Sequence, residues 1–414
     1  VRVGAALAVG ASALVVLAGA SAVFPAIASS ASTRSEYVSR SGSDTGKCTK
    51  RSPCKTINYA ISQATPGLTI HVEKGTYHQT VNVTKPVTIL GAGASSTTLN
   101  GAGLDPTNQG YYGVVYVGSA GGPVTVSGLT ITNPARYTYT GGEPEAVALA
   151  DPNSSDTIKI VNDKLKEGNA DHQTSSDFPI GIDTFLNAAT TQISSDTISG
   201  FFQGALLEDN GPATVSNDKF LSLISGTDTS TSPVTKYPAE GVFFLADERG
   251  TYRGQNADTN IFSGYTGYGV AESAGYTGGY VTPGCVANGS IRTKVSRNTF
   301  ELTGGSKAAA ISLKANGTGN DLTGSVNDNV GYVTSPSKGI ETRSIAIPPT
   351  PPGTDCGSYG TSNGGGGTVN ITTNQNLIKV KPASHSSAAS NSPAASWERL
   401  GGLHLPRRPD RRAR

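Results

Sequence analysis

The chain is 414 residues long, with 15% charged residues, 52 glycines, one tryptophan and a formal net charge of +2. Six arginines against two acids between 382 and 414, together with Arg2, more than account for that charge, so the body between them is weakly acidic. Such a body lacks the basic footprint of a nucleic-acid binder, and the four cysteines suit an oxidising compartment.

Residues 1–28 read as a secretory signal peptide. Arg2 precedes an uncharged apolar run from Val3 to Phe24, and Ala26-Ile27-Ala28 is an A-x-A cleavage pattern. A transmembrane anchor is the alternative, but the run is barely of that length and no charged stop follows. Cleaved near Ala28, the protein is expected to be extracellular, free of the membrane and monomeric. An opening Val and no Met are what a non-ATG start in a GC-rich bacterial gene would leave. Residues 29–35 read as a linker.

From 36 to 380 the chain reads as one all-β domain, a right-handed parallel β-helix. The stretch Thr69–Gly101 sets the pattern, with strands expected at Thr69–Val72, Thr80–Val83 and Val87–Leu90. Breaks fall at Lys74-Gly75, at Lys85-Pro86 and at Gly91-Ala92-Gly93. No helix separates the strands as an α/β crossover would require, and the breaks are not of the two-residue Asn-Gly hairpin type. What remains is a chain that turns corners and keeps winding. Before it, Ile57–Ala64 is apolar at 57, 60, 61 and 64, a short helix with one buried face that would cover the open end of the first coil.

The order Tyr37-Val38-Ser39, Ser41-Gly42-Ser43-Asp44, Cys54-Lys55-Thr56-Ile57, Gly67-Leu68-Thr69-Ile70, Gly75-Thr76-Tyr77 and Ile89-Leu90-Gly91-Ala92-Gly93 resembles the N-terminal cap and first coil of secreted parallel β-helix proteins of the pectin-lyase-like group. The resemblance covers roughly Glu36 to Gly101. It implies the fold and an extracellular polysaccharide or cell-wall glycan as partner, and it implies little about activity.

Downstream, an apolar-x-x-(Asp/Asn)-x-apolar pattern recurs at Ile160–Leu165, Ile193–Ile198, Val215–Phe220 and Val295–Phe300, with looser copies at Val126–Ile131, Asp258–Phe262 and Ser325–Val330. Uneven spacing is read as one coil carrying loop insertions. The Asp/Asn positions are expected at corners, tolerating left-handed backbone and stacking coil on coil. Cys48 with Cys54 and Cys285 with Cys356 is the expected disulfide pairing among the three that four cysteines allow.

Candidate chemistry comes from aligning the glycine-led strands. This brings Asp151, Asp183, Glu208, Asp209 and Asp247 into rough register near the strand ends, with Arg249 and Arg253 following. Crowded carboxylates raise one another's pKa or hold a hard cation. Asp209 and Asp247 are the candidate Ca2+ ligands. Asp183, Glu208, Asp209, Asp247, Arg249 and Arg253 are the candidate catalytic set for a lyase acting on an acidic glycan. The competing reading is solvated loop charge. Tyr265, Tyr268, Tyr276 and Tyr280 would form a platform for sugar rings, or pack long loops onto the solenoid.

The resemblance also supplies negatives. Gly75-Thr76-Tyr77-His78-Gln79 ends in Gln where pectin methylesterases have Glu, and neither their other motifs nor the polygalacturonase set is present. Two classes therefore stand: a polysaccharide lyase or glycoside hydrolase, and a non-catalytic glycan-binding or adhesion module. Residues 381–414, Ser-, Ala- and Pro-rich and then Arg-rich, read as a disordered basic tail.

Overall fold

The computed structural model describes residues 35–382, apart from 106–112, 133–143, 169–177, 186, 209, 229–234, 247–249, 276–284, 287–288, 304, 306–307 and 357–359. The segment expected to be a signal peptide lies outside the described residues, as does the expected basic tail from 383 onward, while Lys381 closes the strand Leu377–Lys381.

Short β-branched runs separated by glycine and corner residues wind into three faces. The first sheet has eleven parallel strands, from Ser35–Val38 and Leu68–Val72 through to Thr368–Asn374. The second and third sheets join into one of eighteen strands. The long strand Ile261–Ala274 turns the corner between them, pairing along one half with Thr299–Thr303 and along the other with Ala309–Asn316. A coil visits the sheets in order: Thr157–Val161 in the first, Lys164–Lys166 in the second and Ile180–Thr184 in the third, before Thr190–Ser194 begins the next coil. This is a parallel β-helix, right-handed as parallel crossovers are.

The stretch Leu68–Asn100 holds five strands rather than the expected three: Leu68–Val72, Gly75–Tyr77, Val81–Val83, Val87–Gly91 and Thr97–Asn100. The Lys74-Gly75 break runs straight into the strand Gly75–Tyr77, whose leading glycine reads as part of the turn and whose one buried side chain is Tyr77. Helix α1, Ile57–Gln63, starts at Thr56, whose side chain accepts from the Tyr59 N–H. It packs Ile57, Ala60 and Ile61 against the strands Ser35–Val38, Leu68–Val72 and Val81–Val83.

Each turn from the first to the second sheet in the repeats is two residues long. The left-handed residue is the first of the two: Asn162, Ser195, Asn217, Thr259, Arg297, Asp328 and Gln375, with φ between 51° and 63°. The repeated Asp/Asn is the second, so it stacks without itself adopting the left-handed conformation that the sequence pattern suggested. Connections into and out of the third sheet carry the insertions, such as 167–179, 222–238 and 275–289.

Apolar side chains fill the bore as one continuous core. Phe220, Phe262 and Phe300 stack through it with ring centroids 5.0 and 5.1 Å apart. These rings explain the leading glycines of the third sheet: a Cβ at Gly204, Gly241 or Gly269 would lie 2.4, 2.5 or 2.2 Å from the Phe220, Phe262 or Phe300 ring. Both disulfides are formed as expected, Cys48–Cys54 and Cys285–Cys356. No helix among the described residues is long and apolar enough to cross a membrane.

Candidate functional site

The third sheet has two faces, separated by packing. Val147, Leu149, Ile182, Leu207, Val242, Phe244 and Ile311 point into the bore. Ile180, Leu206, Leu245 and Phe243 form a separate apolar patch, and Tyr268, Ala271 and Ala309, packed with Phe243, form another. These two patches make the floor of the outer face.

Asp183 and Glu208 stand on adjacent strands of this sheet but not in one row. Asp183 is the register partner of Ala148 and Leu206, while Glu208 pairs with Leu245. Both are buried, at 2% and 8% exposure. Asp151, also buried, sits past the end of its strand, where its carboxyl accepts from the Asn153 N–H and its own N–H donates to Asn187 Oδ1. That pattern is a corner tie. Arg253 departs from the expected grouping: it is exposed on the first sheet, opposite Arg292, because the chain has already turned a corner after Ala246. Tyr265 departs as well. It lies inside the long strand rather than in an insertion and is buried in the core, its hydroxyl donating to the Tyr268 carbonyl at 3.2 Å. Its ring is therefore not available to a sugar. Asp209, Asp247, Arg249, Tyr276 and Tyr280 lie outside the described residues.

Beyond the apolar floor, later coils carry a charged group that sequence reasoning missed. Glu240 Oε2 accepts from Gln203 Nε2 at 2.6 Å on the neighbouring strand, where Gln203 and Glu240 are register partners. Tyr268 is the next partner in that row. Lys314 reaches back over the Tyr268 ring, 5.4 Å from its centroid, and stands beside Arg343 on the following coil. Arg343 forms an ion pair with Glu341, which Lys338 also approaches at 3.4 Å.

Packing sets the electrostatics of this group. Burial pushes the Glu240 carboxyl up to about 7, against the opposing pull of Gln203 and Lys314. Burial, reinforced by Arg343, pushes Lys314 down to about 8, with Glu240 opposing. Burial and the Glu240 charge hold the Tyr268 hydroxyl well above its ordinary value. A carboxyl and an amine both poised near neutrality, on one face, can exchange protons with a bound molecule. The overlooked signal was Lys314 itself, the one charged residue in the largely buried strand Ala309–Asn316, where a lysine is rarely placed.

Among the described residues no three His, Cys, Asp or Glu side chains gather as metal ligands. Glu240 is engaged by Gln203 and Glu341 by two cations, and the expected Ca2+ ligands Asp209 and Asp247 lie outside the described residues.

Comparison with known proteins adds the following. The chain is similar to the Uncharacterized protein YwoF of Bacillus subtilis (strain 168), 28% identical over 147 residues. That stretch is 32% of this chain and 30% of the relative, so the match spans under a third of that protein. Among solved structures it is similar to XylC in complex with xylose, at 11% identity and TM-score 0.48, over 84% of this chain and 76% of that one. It is also similar to an alginate lyase from Paenibacillus sp. str. FPU-7 (13%, TM-score 0.39, 69% and 95%) and to the A-module of the mannuronan C-5 epimerase AlgE6 of Azotobacter vinelandii (12%, TM-score 0.40, 81% and 95%). The sequence model of the protein family of unknown function DUF1565 matches residues 40–330, most of the solenoid, and the chain belongs to that family.

Proposed function

We propose that this protein is exported and engages an extracellular polysaccharide on the outer face of its third sheet, with lyase-like cleavage of an acidic glycan as the chemistry that face fits. The observation that carries the reading is the placement of Lys314 over Tyr268, beside Arg343 and facing Glu240. An apolar floor flanked by a few polar groups is the usual make-up of a small-molecule or sugar site. A uronate carboxylate would replace Glu341 as the partner of Arg343. Lys314, uncharged above about 8, would take the proton α to that carboxylate. The Lys314 ammonium so formed would return that proton to the departing glycosidic oxygen, leaving a double bond in one product and a hydroxyl on the other. Asp183 and Glu208 flank the floor on earlier coils, and Asp209, Asp247 and Arg249 follow the same strands in sequence. Export is supported by the two disulfides and the N-terminal sequence pattern. The same reading takes α1 as the cover of the first coil.

A second reading, glycan binding without turnover, is favoured by the first sheet. Thr88, Thr125, Lys159, Gln192, Thr214 and Asn256 stand in one row across successive strands, about 4.8 Å apart, on its partly exposed face. A flat row of hydroxyl and amide groups suits hydrogen bonding to an extended chain.

The test is a panel of pectate, alginate, hyaluronan and neutral glycans, followed by unsaturated-uronate absorbance, reducing ends and pull-down, with calcium and with EDTA. Turnover that falls at least a hundredfold in Lys314→Ala and Arg343→Ala, with folding intact, supports the lyase reading. Pull-down without turnover, lost in Lys159→Ala/Gln192→Ala but kept in Lys314→Ala, moves the function to the first sheet. Silence in both assays sinks the glycan reading.

A further inference from the structure

The repeated Asp/Asn of each corner forms one ladder through the solenoid. Its N–H donates to the side-chain oxygen of the corresponding residue one coil on: Asp163 to Asp196, Asp196 to Asp218, Asp218 to Asn260, Asn260 to Asn298, Asn298 to Asn329 and Asn329 to Asn376. Leu129 begins the series by donating to Asp163.

The two halves of the ladder differ in their second side-chain atom. Each asparagine uses its Nδ2 to donate to a first-sheet carbonyl of the coil before: Asn260 to Val215, Asn298 to Ala257, Asn329 to Val295 and Asn376 to Val326, at 2.7–3.0 Å. In every case that carbonyl lies three residues before the previous ladder residue. The same register aims Oδ2 of Asp163, Asp196 and Asp218 at the carbonyls of Val126, Ile160 and Ile193. All three Oδ2 atoms are buried and without a partner when the carboxyls are counted as acceptors only. Two oxygen acceptors facing each other in a dry corner repel, whereas a hydrogen on Oδ2 makes the arrangement equivalent to asparagine.

We propose that Asp163, Asp196 and Asp218 occupy the ladder as neutral carboxylic acids, so that the middle coils of this solenoid are joined by protons and loosen as pH rises. Among the described residues no cation acts on the three acids. Within the ladder the three acids face one another, with Leu129 and Asn260 beyond the two ends, and the charges acting on Asp196 are Asp218 and Asp163, both of like sign. The turn residues beside them, Asn162, Ser195 and Asn217, are uncharged. The cations next in the chain, Lys164 and Lys219, are exposed on the outer side of the second sheet. Burial pushes Asp163 and Asp218 up to about 7, and Asp196 well above its ordinary value, in each case outweighing the backbone N–H donors that pull the other way.

The direction follows from linkage. A carboxyl whose folded-state pKa is raised contributes stability that is complete below its unfolded-state value and is lost as pH climbs through the folded value. Each retained proton lowers the folding constant up to tenfold per pH unit above about 4, as far as about 7 for Asp163 and Asp218. The test is thermal and urea unfolding of the full chain from pH 4 to pH 9, in a Glu272→Gln background that removes another buried acid. Expected is a steep loss of stability with rising pH in the parent, and a slope shallower by up to three protons in Asp163→Asn/Asp196→Asn/Asp218→Asn. Equal slopes overturn the proposal. Should the triple variant not fold, Asn260→Asp adds a fourth acid to the ladder: a steeper slope supports the proposal and an unchanged one overturns it.

Discussion

The Thr293 hydroxyl lies 2.7 Å from Glu272 Oε1 and 2.9 Å from the Gln255 carbonyl, inside the bore. It has one hydrogen for two acceptors. With the hydrogen on the Gln255 carbonyl, the short contact to Glu272 needs a proton on the carboxyl. Burial pushes that carboxyl up to about 8. Because the folded-state value is raised, the stability it contributes is complete below its ordinary value near 4.5 and gone above about 8. Glu272→Gln keeps the shape and removes the titration. It is expected to melt with the parent at pH 4 and above it at pH 9, as read by scanning calorimetry.

Phe262 is stacked between Phe220 and Phe300 in the bore, with interplanar angles of 11° and 8°. Phe262→Ala would open a cavity in a core that cannot collapse, since the strands are pinned on all three faces. A loss of about 3–5 kcal/mol in urea unfolding is expected. Gly241→Ala is expected to destabilise as well, because its Cβ would meet both the Phe262 ring and the Gly269 carbonyl at 2.5 Å. The double variant Gly241→Ala/Phe262→Leu should recover part of that loss.

The two disulfides close loops of very different size, with sequence separations of 6 and 71. Chain entropy alone assigns about 2 kcal/mol to the short loop and about 4 kcal/mol to the long one. Cys285→Ser/Cys356→Ser should therefore lower the melting temperature more than Cys48→Ser/Cys54→Ser does. The reverse order would mean that the short staple does more than restrict the unfolded chain.

Lys314 offers a separation of function from stability. Its folded-state value is lowered, chiefly by burial, so carrying the charge destabilises the fold in full below about 8 and progressively less as pH rises toward the ordinary value of 10.5. Lys314→Met removes that cost. Its melting temperature should be no lower than that of the parent at pH 6, with the difference shrinking toward pH 10, while glycan turnover or binding is lost. A variant that is both unstable and inactive would make Lys314 a packing residue.

Several elements were readable without coordinates because their causes are local. The helix at Ile57 follows from apolar spacing and the Thr56 cap, and the corner repeat follows from short strands broken at fixed intervals. The leading glycines of the third sheet were visible too, but their cause was not: the Phe rings they accommodate come from the second sheet of the next coil, as Phe220 does for Gly204, sixteen positions away in the chain. Gly75–Tyr77 was missed because its leading glycine reads as part of the Lys74-Gly75 break and only Tyr77 of the three is buried.

The sequence by itself determined that this chain winds and where its repeated corners fall, since both depend on residues close together or on a periodic pattern, whereas the pairing of Cys285 with Cys356, 71 residues apart, was one expectation among three until the fold brought them together. Which acids meet was decided only by the tertiary structure. The leading glycines do fall in register, but Asp183 stands two residues after its glycine and Glu208 four after its own, so the sheet sets them opposite Leu206 and Leu245 rather than each other. The grouping of Glu240, Lys314 and Arg343, and the unfilled second oxygens of the Asp ladder, likewise depend on coil-to-coil contact. Solvation and charge are properties of that contact, and no single strand carries them.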